Sequence, residues 1–239
     1  MKTKNYDQAE KNSALKVSKK TGLFVSWSTG KDSMYMLQEL KKKKEYHVDR
    51  LVTTINQKYK RVFMHGISLK LLRRQAECLG IPIDIVEIPD EASNEEYEKS
   101  MMKIIHEAEA AGVEHMAFGD LFLEDVRDYR IKQLSSTRIK PLFPLWLRPT
   151  DDLILEMMRC GIKALVSCVD TRKLSVDFLG RLIDDEWLKA LPPDVDPCGE
   201  KGEFHSFVVD GPLFREAIRY HVSGCVQKGP FAFADIVLA

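Results

Sequence analysis

The most chemically suggestive feature of the sequence is a run of small, hydroxylated and charged residues: Ser28, Thr29, Gly30, Lys31, Asp32 and Ser33. The apolar run Leu23 to Trp27 precedes it, and apolar residues at helical spacing follow it. A loop between a buried strand and a helix start presents free backbone N–H groups and the positive end of the helix dipole, and both attract anions. The segment is therefore predicted to bind phosphate.

The side chains of this loop have distinct predicted roles. Lys31 would place an ammonium against phosphate oxygens, and Ser28 and Ser33 would offer hydroxyl groups. Asp32 is predicted either to cap the helix or to orient Mg²⁺ through water. The loop is not a Walker A motif, because Asp32 occupies the position where that motif needs Ser or Thr. An ordinary capped helix start is the alternative interpretation.

A second group of chemical residues lies near the C-terminus. Glu200, Glu203 and His205 bring two carboxylates and an imidazole close together in sequence, which suggests proton transfer. Gly199 and Gly202 permit a tight turn around them. On the strand predicted to follow, Glu203 and His205 would share one face, since side chains alternate. The alternative is a charged surface turn.

Two further candidates each follow a predicted strand. His65 would contact a nucleotide, or would be a polar turn residue. Asp120 would hold Mg²⁺ or a nucleophile, or would cap the next helix. Cys198 is interpreted as a packing residue, because no second cysteine lies near it in sequence to support sulfur chemistry.

The elements that must position these residues alternate between strand and helix. This pattern predicts a parallel sheet with helices on both faces, whose ligands bind at the carboxyl ends of the strands. The predicted strands after the first are Leu51–Ile55, Ile83–Ile88 and His115–Phe118, and the predicted helices after the first are Leu69–Leu79 and Glu95–Ala111.

The pattern changes after Ser136, where prolines become frequent. We therefore predict a flexible tail over residues 1–20, a nucleotide-binding domain over 21–137 and a smaller α+β domain over 138–239. The last domain is predicted to contain one helix, Asp152–Cys160, and the strands Ile162–Val169, Phe207–Val209 and Tyr220–Val226.

Composition narrows the function classes. Lys plus Arg and Asp plus Glu are equal at 36 each, so there is no net positive charge to bind DNA. Five scattered cysteines predict neither a disulfide framework nor a zinc site. No signal peptide or membrane span is recognised, so a cytoplasmic protein is expected. The oligomeric state is open, with a homodimer as one option.

The loop resembles the Ser-Gly-Gly-Lys-Asp-Ser signature of PP-loop ATP pyrophosphatases, with Thr29 in place of the first glycine. A resemblance to one branch, the diphthine-ammonia ligase family, extends from about residue 22 to 214. It is carried by Met64-His65-Gly66, Phe118-Gly119-Asp120, Pro144-Leu145-Trp146, the stretch Asp196 to Ser206, and Asp210-Gly211-Pro212.

This resemblance implies an enzyme that uses Mg²⁺ and ATP to adenylate a carboxylate, releases pyrophosphate and forms an amide with ammonia. It implies that Asp120, Glu200, Glu203 and His205 bind the acceptor, with Lys31, Glu203 and His205 in catalysis. In the family the product is diphthamide on elongation factor 2.

Three alternatives to that reaction remain. One is a different small-molecule carboxylate as acceptor, a possibility raised by Asp125, Arg127 and Arg130 in the stretch Phe118 to Arg130. The others are a sulfur transferase acting on tRNA and a non-catalytic ATP sensor whose loop Thr29 has disabled, because a β-branched residue tolerates positive φ poorly.

Overall fold

The computed structural model describes residues 20–239, so the predicted tail lies outside the described residues except for its last position. The elements of the first half are β1 Thr21–Ser26, α1 Lys31–Lys42, β2 Tyr46–Asn56, β3 Arg61–Val62, α2 Leu69–Leu79, β4 Ile83–Ile88, α3 Asn94–Ala110, β5 His115–Ala117, α4 Glu124–Leu134 and β6 Lys140–Leu142. The second half contains α5 Thr150–Arg159, β7 Lys163–Asp170, a 3₁₀ turn at Val176–Phe178, α6 Asp185–Ala190, β8 Phe204–Asp210, β9 Tyr220–Lys228 and β10 Phe231–Leu238.

The first sheet has its parallel strands in the order β4-β2-β1-β5-β6, and the short β3 pairs antiparallel with the end of β2. The chain therefore leaves β1 toward β2 on one side and later returns to place β5 on the other side. In open α/β sheets such a reversal opens a crevice at the carboxyl ends of the two central strands. The predicted phosphate loop and Asp120 follow β1 and β5, respectively.

Helices cover both faces of this sheet, as the sequence predicts. Along β1 the side chains alternate, with Leu23 and Val25 packing on one face and Phe24 on the other. The apolar residues of α1 and α2 belong to the first face, and those of α3 and α4 to the second. The α/β fold class is confirmed.

The second sheet is antiparallel, in the order β8-β7-β10-β9. Buried residues of β7 and β8 join the same hydrophobic core as α1 and α2, so the two sheets share one packed interior. The sharing matters for function because it fixes β8 against the loop that precedes α1. Within residues 20–239, no helix is long and apolar enough to cross a membrane.

The first sheet does not end at the predicted boundary near residue 138. β6 pairs parallel with β5 and forms the edge of that sheet. Pro141 is one of the prolines on which the predicted boundary rests, yet proline is tolerated in an edge strand, where one side of the backbone needs no ladder partner.

Most predicted elements lie within a few residues of their predicted bounds, and Gly80 ends α2 in the left-handed conformation, at φ 64°. The helix α4 was not predicted. Its buried residues are Gln133 and Leu134 at its end, and arginine and aromatic side chains replace the usual apolar stripe. The strands β3, β6 and β10 were also missed.

Candidate active site

A cleft of about 550 Å³ opens at the carboxyl edge of the first sheet. Its volume falls in the range of small-molecule sites. The loop after β1, the end of β5 and the turn before β8 form its walls. Among its lining residues are the predicted site residues Ser28, Lys31, Asp32, Ser33, His65, Asp120, Glu200 and His205.

The loop after β1 has an unusual backbone at Thr29, which is fully buried with φ 76°. A β-branched residue in the left-handed region is strained, at a cost of roughly 1–3 kcal/mol. The loop therefore has positive φ at the position where the resembling signature has glycine. The Thr29 hydroxyl oxygen has no hydrogen-bond partner within residues 20–239.

The next residue in the loop is Gly30, where a larger side chain would collide with neighbouring atoms. A Cβ there would lie 2.8 Å from Cε1 of His65 and 3.2 Å from the Ser206 carbonyl oxygen. The residue is the N-cap of α1, so Asp32 does not cap this helix. Ser33 instead donates its hydroxyl to the Gly30 carbonyl at 3.0 Å, and Ser28 donates its hydroxyl to Ser33 at 3.2 Å.

Lys31 crosses the cleft. Its ammonium donates to Asp32 Oδ2 at 3.0 Å and to the carbonyl oxygen of Cys198, and it lies 5.3 Å from the centre of the Phe204 ring. Burial alone would lower the pKa of this lysine, but the carboxylates of Asp32 and Glu200 outweigh burial and raise the pKa. A charged ammonium therefore connects the phosphate loop to the turn before β8.

Three carboxylates face this cation: Asp32, Asp120 and Glu200. Burial, with Asp32 and Asp120 nearby, raises the pKa of Glu200 to about 8 against the opposing effect of Lys31. The pKa of Asp120 is also raised, chiefly by burial, although the Arg130 guanidinium lowers it. Asp120 does not cap the next helix, because the N-cap of α4 is Leu123.

The carboxylates of this cleft can supply part of the coordination of a metal ion, and a bound nucleotide would have to supply more of it. Asp32 Oδ1 and Asp120 Oδ2 are buried and have no hydrogen-bond partner in the described part of the chain. Over the same residues, no group of three or more His, Cys, Asp or Glu side chains is arranged to hold a metal ion by itself. Magnesium characteristically uses one or two carboxylates and takes its other ligands from water and phosphate, so these residues fit Mg²⁺ bound with a nucleotide.

Two histidines meet beside the loop. The rings of His65 and His205 lie 4.8 Å apart between centroids. Burial lowers the pKa of His65 to about 4 and that of His205 to about 3, so both are neutral at physiological pH. His65 Nδ1 lies 2.8 Å from the carbonyl oxygen of Ser206, and a carbonyl only accepts, so Nδ1 carries the proton.

Glu203 is placed differently from the prediction. It is buried away from the cleft, and its Oε1 accepts a hydrogen bond from the Asp196 backbone N–H at 3.2 Å. The prediction that Glu203 and His205 share one face of the strand is therefore wrong. β8 begins only at Phe204, so strict alternation does not extend back to Glu203, which instead closes the turn.

Three positioning residues were not predicted. Gln75 is fully buried and donates to the carbonyl oxygens of Thr29 and Val208 at 3.1 and 2.7 Å, so it ties the loop to β8. The Ser206 hydroxyl accepts from the Lys31 backbone N–H at 3.1 Å. Asp196 Oδ1 accepts from the Cys198 N–H at 2.8 Å and organises the turn. Only Asp196 had a local signal, since Asp-Pro followed by glycine is typical of turns.

The sheet order and the loop at the start of α1 define an α/β protein with a candidate site at its topological switch point. Comparison with family models agrees with this class. The diphthamide synthase N-terminal domain matches residues 21–137, and the diphthamide synthase C-terminal domain matches residues 149–229. The chain belongs to the diphthamide synthase family.

Curated relatives carry a matching name. The diphthine–ammonia ligase of Homo sapiens is 29% identical over 183 residues, which cover 73% of this chain and 67% of the relative. The diphthine–ammonia ligase of Danio rerio is 28% identical over 177 residues, covering 72% and 68%. Among solved structures, the U34-tRNA thiolase NcsA of Methanococcus maripaludis aligns with a TM-score of 0.37 at 20% identity, covering 59% of this chain and 57% of that one.

Proposed function

We propose that this chain is an ATP-dependent ligase that adenylates a carboxylate, releases pyrophosphate and converts the acyl adenylate to an amide with ammonia. The observation that carries the proposal is the convergence of the phosphate loop and the turn before β8 in one cleft, where Lys31 contacts Asp32 and the Cys198 carbonyl. The names of the curated relatives agree with this reaction class.

In the first step, a carboxylate oxygen of the acceptor attacks the α-phosphorus of ATP and the bond to the bridging oxygen of the β-phosphate breaks. Negative charge then grows on the departing pyrophosphate. The positive end of α1 and the Lys31 ammonium would stabilise that charge, and Ser28 and Ser33, which line the same cleft, would contribute hydroxyl groups. Asp32 and Asp120 would hold Mg²⁺, which would neutralise phosphate charge when bound.

In the second step, ammonia attacks the acyl carbon and AMP leaves. The nitrogen must lose a proton as the amide forms. Glu200 is the base we assign to that proton, because its pKa of about 8 is close to the operating pH and its side chain lines the cleft. His205, neutral and with a buried Nε2 that has no partner among residues 20–239, is the second candidate.

Two acceptors are tested against each other. The family name points to diphthine on elongation factor 2, and the second possibility is a small-molecule carboxylate. The purified chain is incubated with α-labelled ATP, Mg²⁺ and ammonium. Unmodified elongation factor, diphthine-bearing elongation factor or a small-molecule fraction of host extract is added in separate reactions.

The expected result is labelled AMP only where the correct acceptor is present, with an equal amount of amide. Labelled ADP, or AMP without an acceptor-derived amide, contradicts the proposal. Asp120→Asn is expected to lower AMP formation, and Asp151→Asn, an exposed aspartate on α5, is the matched control.

A non-catalytic ATP sensor is the second candidate, and a specific observation favours it. The Lys31 backbone N–H is already bonded to the Ser206 hydroxyl, and the Lys31 ammonium is bonded to protein atoms. If the Lys31 ammonium keeps its contacts with Asp32 and the Cys198 carbonyl when ATP binds, it does not reach the departing pyrophosphate, and ATP is bound without being cleaved. If ATP binds with micromolar affinity and no acceptor elicits AMP, the sensor function is favoured.

A further inference from the structure

A row of aromatic rings begins at the cleft and contacts two arginines of α4. Phe118 lines the cleft and stacks on Phe143, with ring centroids 5.7 Å apart. Phe143 in turn meets Trp146 at 6.1 Å. The row therefore begins at the candidate active site with Phe118, Phe143 lies next to that lining residue, and Trp146 lies next to Phe143.

Two arginines of α4 lie on this row. The Arg130 guanidinium is 5.0 Å from the centre of the Phe118 ring, and the Arg127 guanidinium is 4.9 Å from Trp146 and 5.6 Å from Phe143. Residues three apart on a helix are neighbours on one face, so the two cations lie side by side. Stacking on aromatic rings holds a planar guanidinium in place and leaves its edge free to donate.

The charges of these arginines are not matched by the protein. Arg127 forms no ion pair or side-chain hydrogen bond with any residue of the range 20–239, and Arg130 has only a 3.9 Å approach to Asp120. Nε of both arginines is buried and has no hydrogen-bond partner in that range. Buried donors without partners are uncommon in folded proteins, and they are usually satisfied by water or by a ligand.

We propose that Arg127 and Arg130 bind an anionic group of the acceptor, a carboxylate or a phosphate, beside the carboxylate that reacts. The inference rests on the proposed function and deepens it, since it makes the acceptor a molecule with at least two negative groups. Arginine recognises both carboxylate and phosphate by paired, charge-assisted hydrogen bonds. The subsite also explains why α4 carries arginines where a core helix would carry apolar residues.

Binding is measured without nucleotide, so the test does not depend on catalysis. The intact chain is titrated with succinate, with inorganic phosphate and with succinamide, which has the shape of succinate but no charge. Tryptophan fluorescence reports binding, because Arg127 lies against Trp146. The Trp146→Phe variant identifies the part of the signal that comes from this residue.

Succinate, phosphate or both are expected to change the Trp146 signal, and succinamide is not. The tighter of the two anions identifies the group that the subsite accepts. Arg127→Gln, which keeps most of the packing stem, is expected to weaken anion binding about tenfold or more, and Arg127→Lys is expected to recover only part of the loss. Lys31→Ala, which removes the cation of the phosphate loop, is expected to leave the Trp146 response in place.

An absent response in the wild-type chain to both anions overturns the inference, whatever the variants do. So does an equal response in the wild type and Arg127→Gln, or a response that Lys31→Ala removes. Failure of the proposed function has a different signature, since it appears as missing AMP in the labelled-ATP assay while the anion titration is unchanged.

Discussion

The phosphate loop, residues 28–33, and the turn before β8, residues 196–203, face each other across one cleft but work in different ways. The loop depends mainly on its backbone. The helix starts at Lys31, Thr29 has a strained left-handed conformation, and a side chain at Gly30 would collide with neighbouring atoms. The turn acts through the direction of its side chains, with Glu200 facing the cleft and Glu203 facing the interior. Local sequence therefore identifies the first more readily than the second.

The largest effect is expected at Lys31, which is part of the phosphate loop and whose ammonium contacts the turn before β8. Lys31→Ala removes the cation that opposes the leaving pyrophosphate, so AMP formation should fall on the order of 10²–10³-fold. The matched control is Lys42→Ala, at the exposed end of the same helix. Comparable losses in both variants, measured with α-labelled ATP, would contradict a specific role for Lys31.

The two glutamates of the turn are expected to separate function from folding. Glu200→Gln should lower amide synthesis about 10²-fold, because a general base is lost, with little loss of stability. Glu203→Gln keeps the oxygen that accepts from Asp196 and should retain nearly full synthesis. Glu203→Ala removes that acceptor and should lower the free energy of unfolding by about 1–3 kcal/mol. Amide synthesis lost in Glu203→Gln but retained in Glu200→Gln would reverse the assignment.

The raised pKa of Glu200 predicts a pH dependence of stability. The folded state holds this proton up to a pKa of about 8, whereas the unfolded carboxyl releases it near the ordinary glutamate pKa of 4.5. The folded state thus binds more protons in that window, and stability should fall as pH rises. Urea unfolding between about pH 6.5 and 8.5 should show a loss on the order of 1 kcal/mol.

The Glu200→Gln variant should lack this slope. His65 and His205 act in the opposite direction, because the unfolded histidines bind more protons than the folded ones, whose pKa values are lowered to about 4 and about 3. Their contribution is the same in the wild type and the variant, so the difference between the two slopes reports Glu200. An identical slope in the wild type and the variant would show that Glu200 is not the responsible group.

The smallest effect tests the strain in the loop. Thr29→Gly relieves a left-handed conformation at a β-branched residue and should raise the free energy of unfolding by up to about 1 kcal/mol. Glu91→Gly, at an exposed position with φ 65°, is the control and should change stability less. Thermal unfolding measures both, and a destabilised Thr29→Gly would mean that packing of the threonine outweighs its strain.

The elements that depend on neighbouring residues in the chain are the ones that the sequence predicts. The strand, loop and helix around Lys31 follow from apolar spacing and small residues, and the alternation of elements led to the parallel sheet with helices on both faces. The sequence does not predict α4 or β6. In α4, arginines that stack on aromatic rings replace the usual apolar stripe, and β6 contains a proline that is tolerated because the strand lies at the sheet edge.

The sequence by itself determined which residue types were available: a phosphate loop, three carboxylates and two histidines. Tertiary structure decided which of them meet. Gln75 and Ser206 bind the loop from α2 and β8, and no local pattern indicates a contact between residues 46 or 175 positions apart. Glu200 and Glu203 are the same residue type three positions apart, and only the closure of the turn by the Asp196 N–H decides that one faces the cleft while the other is buried.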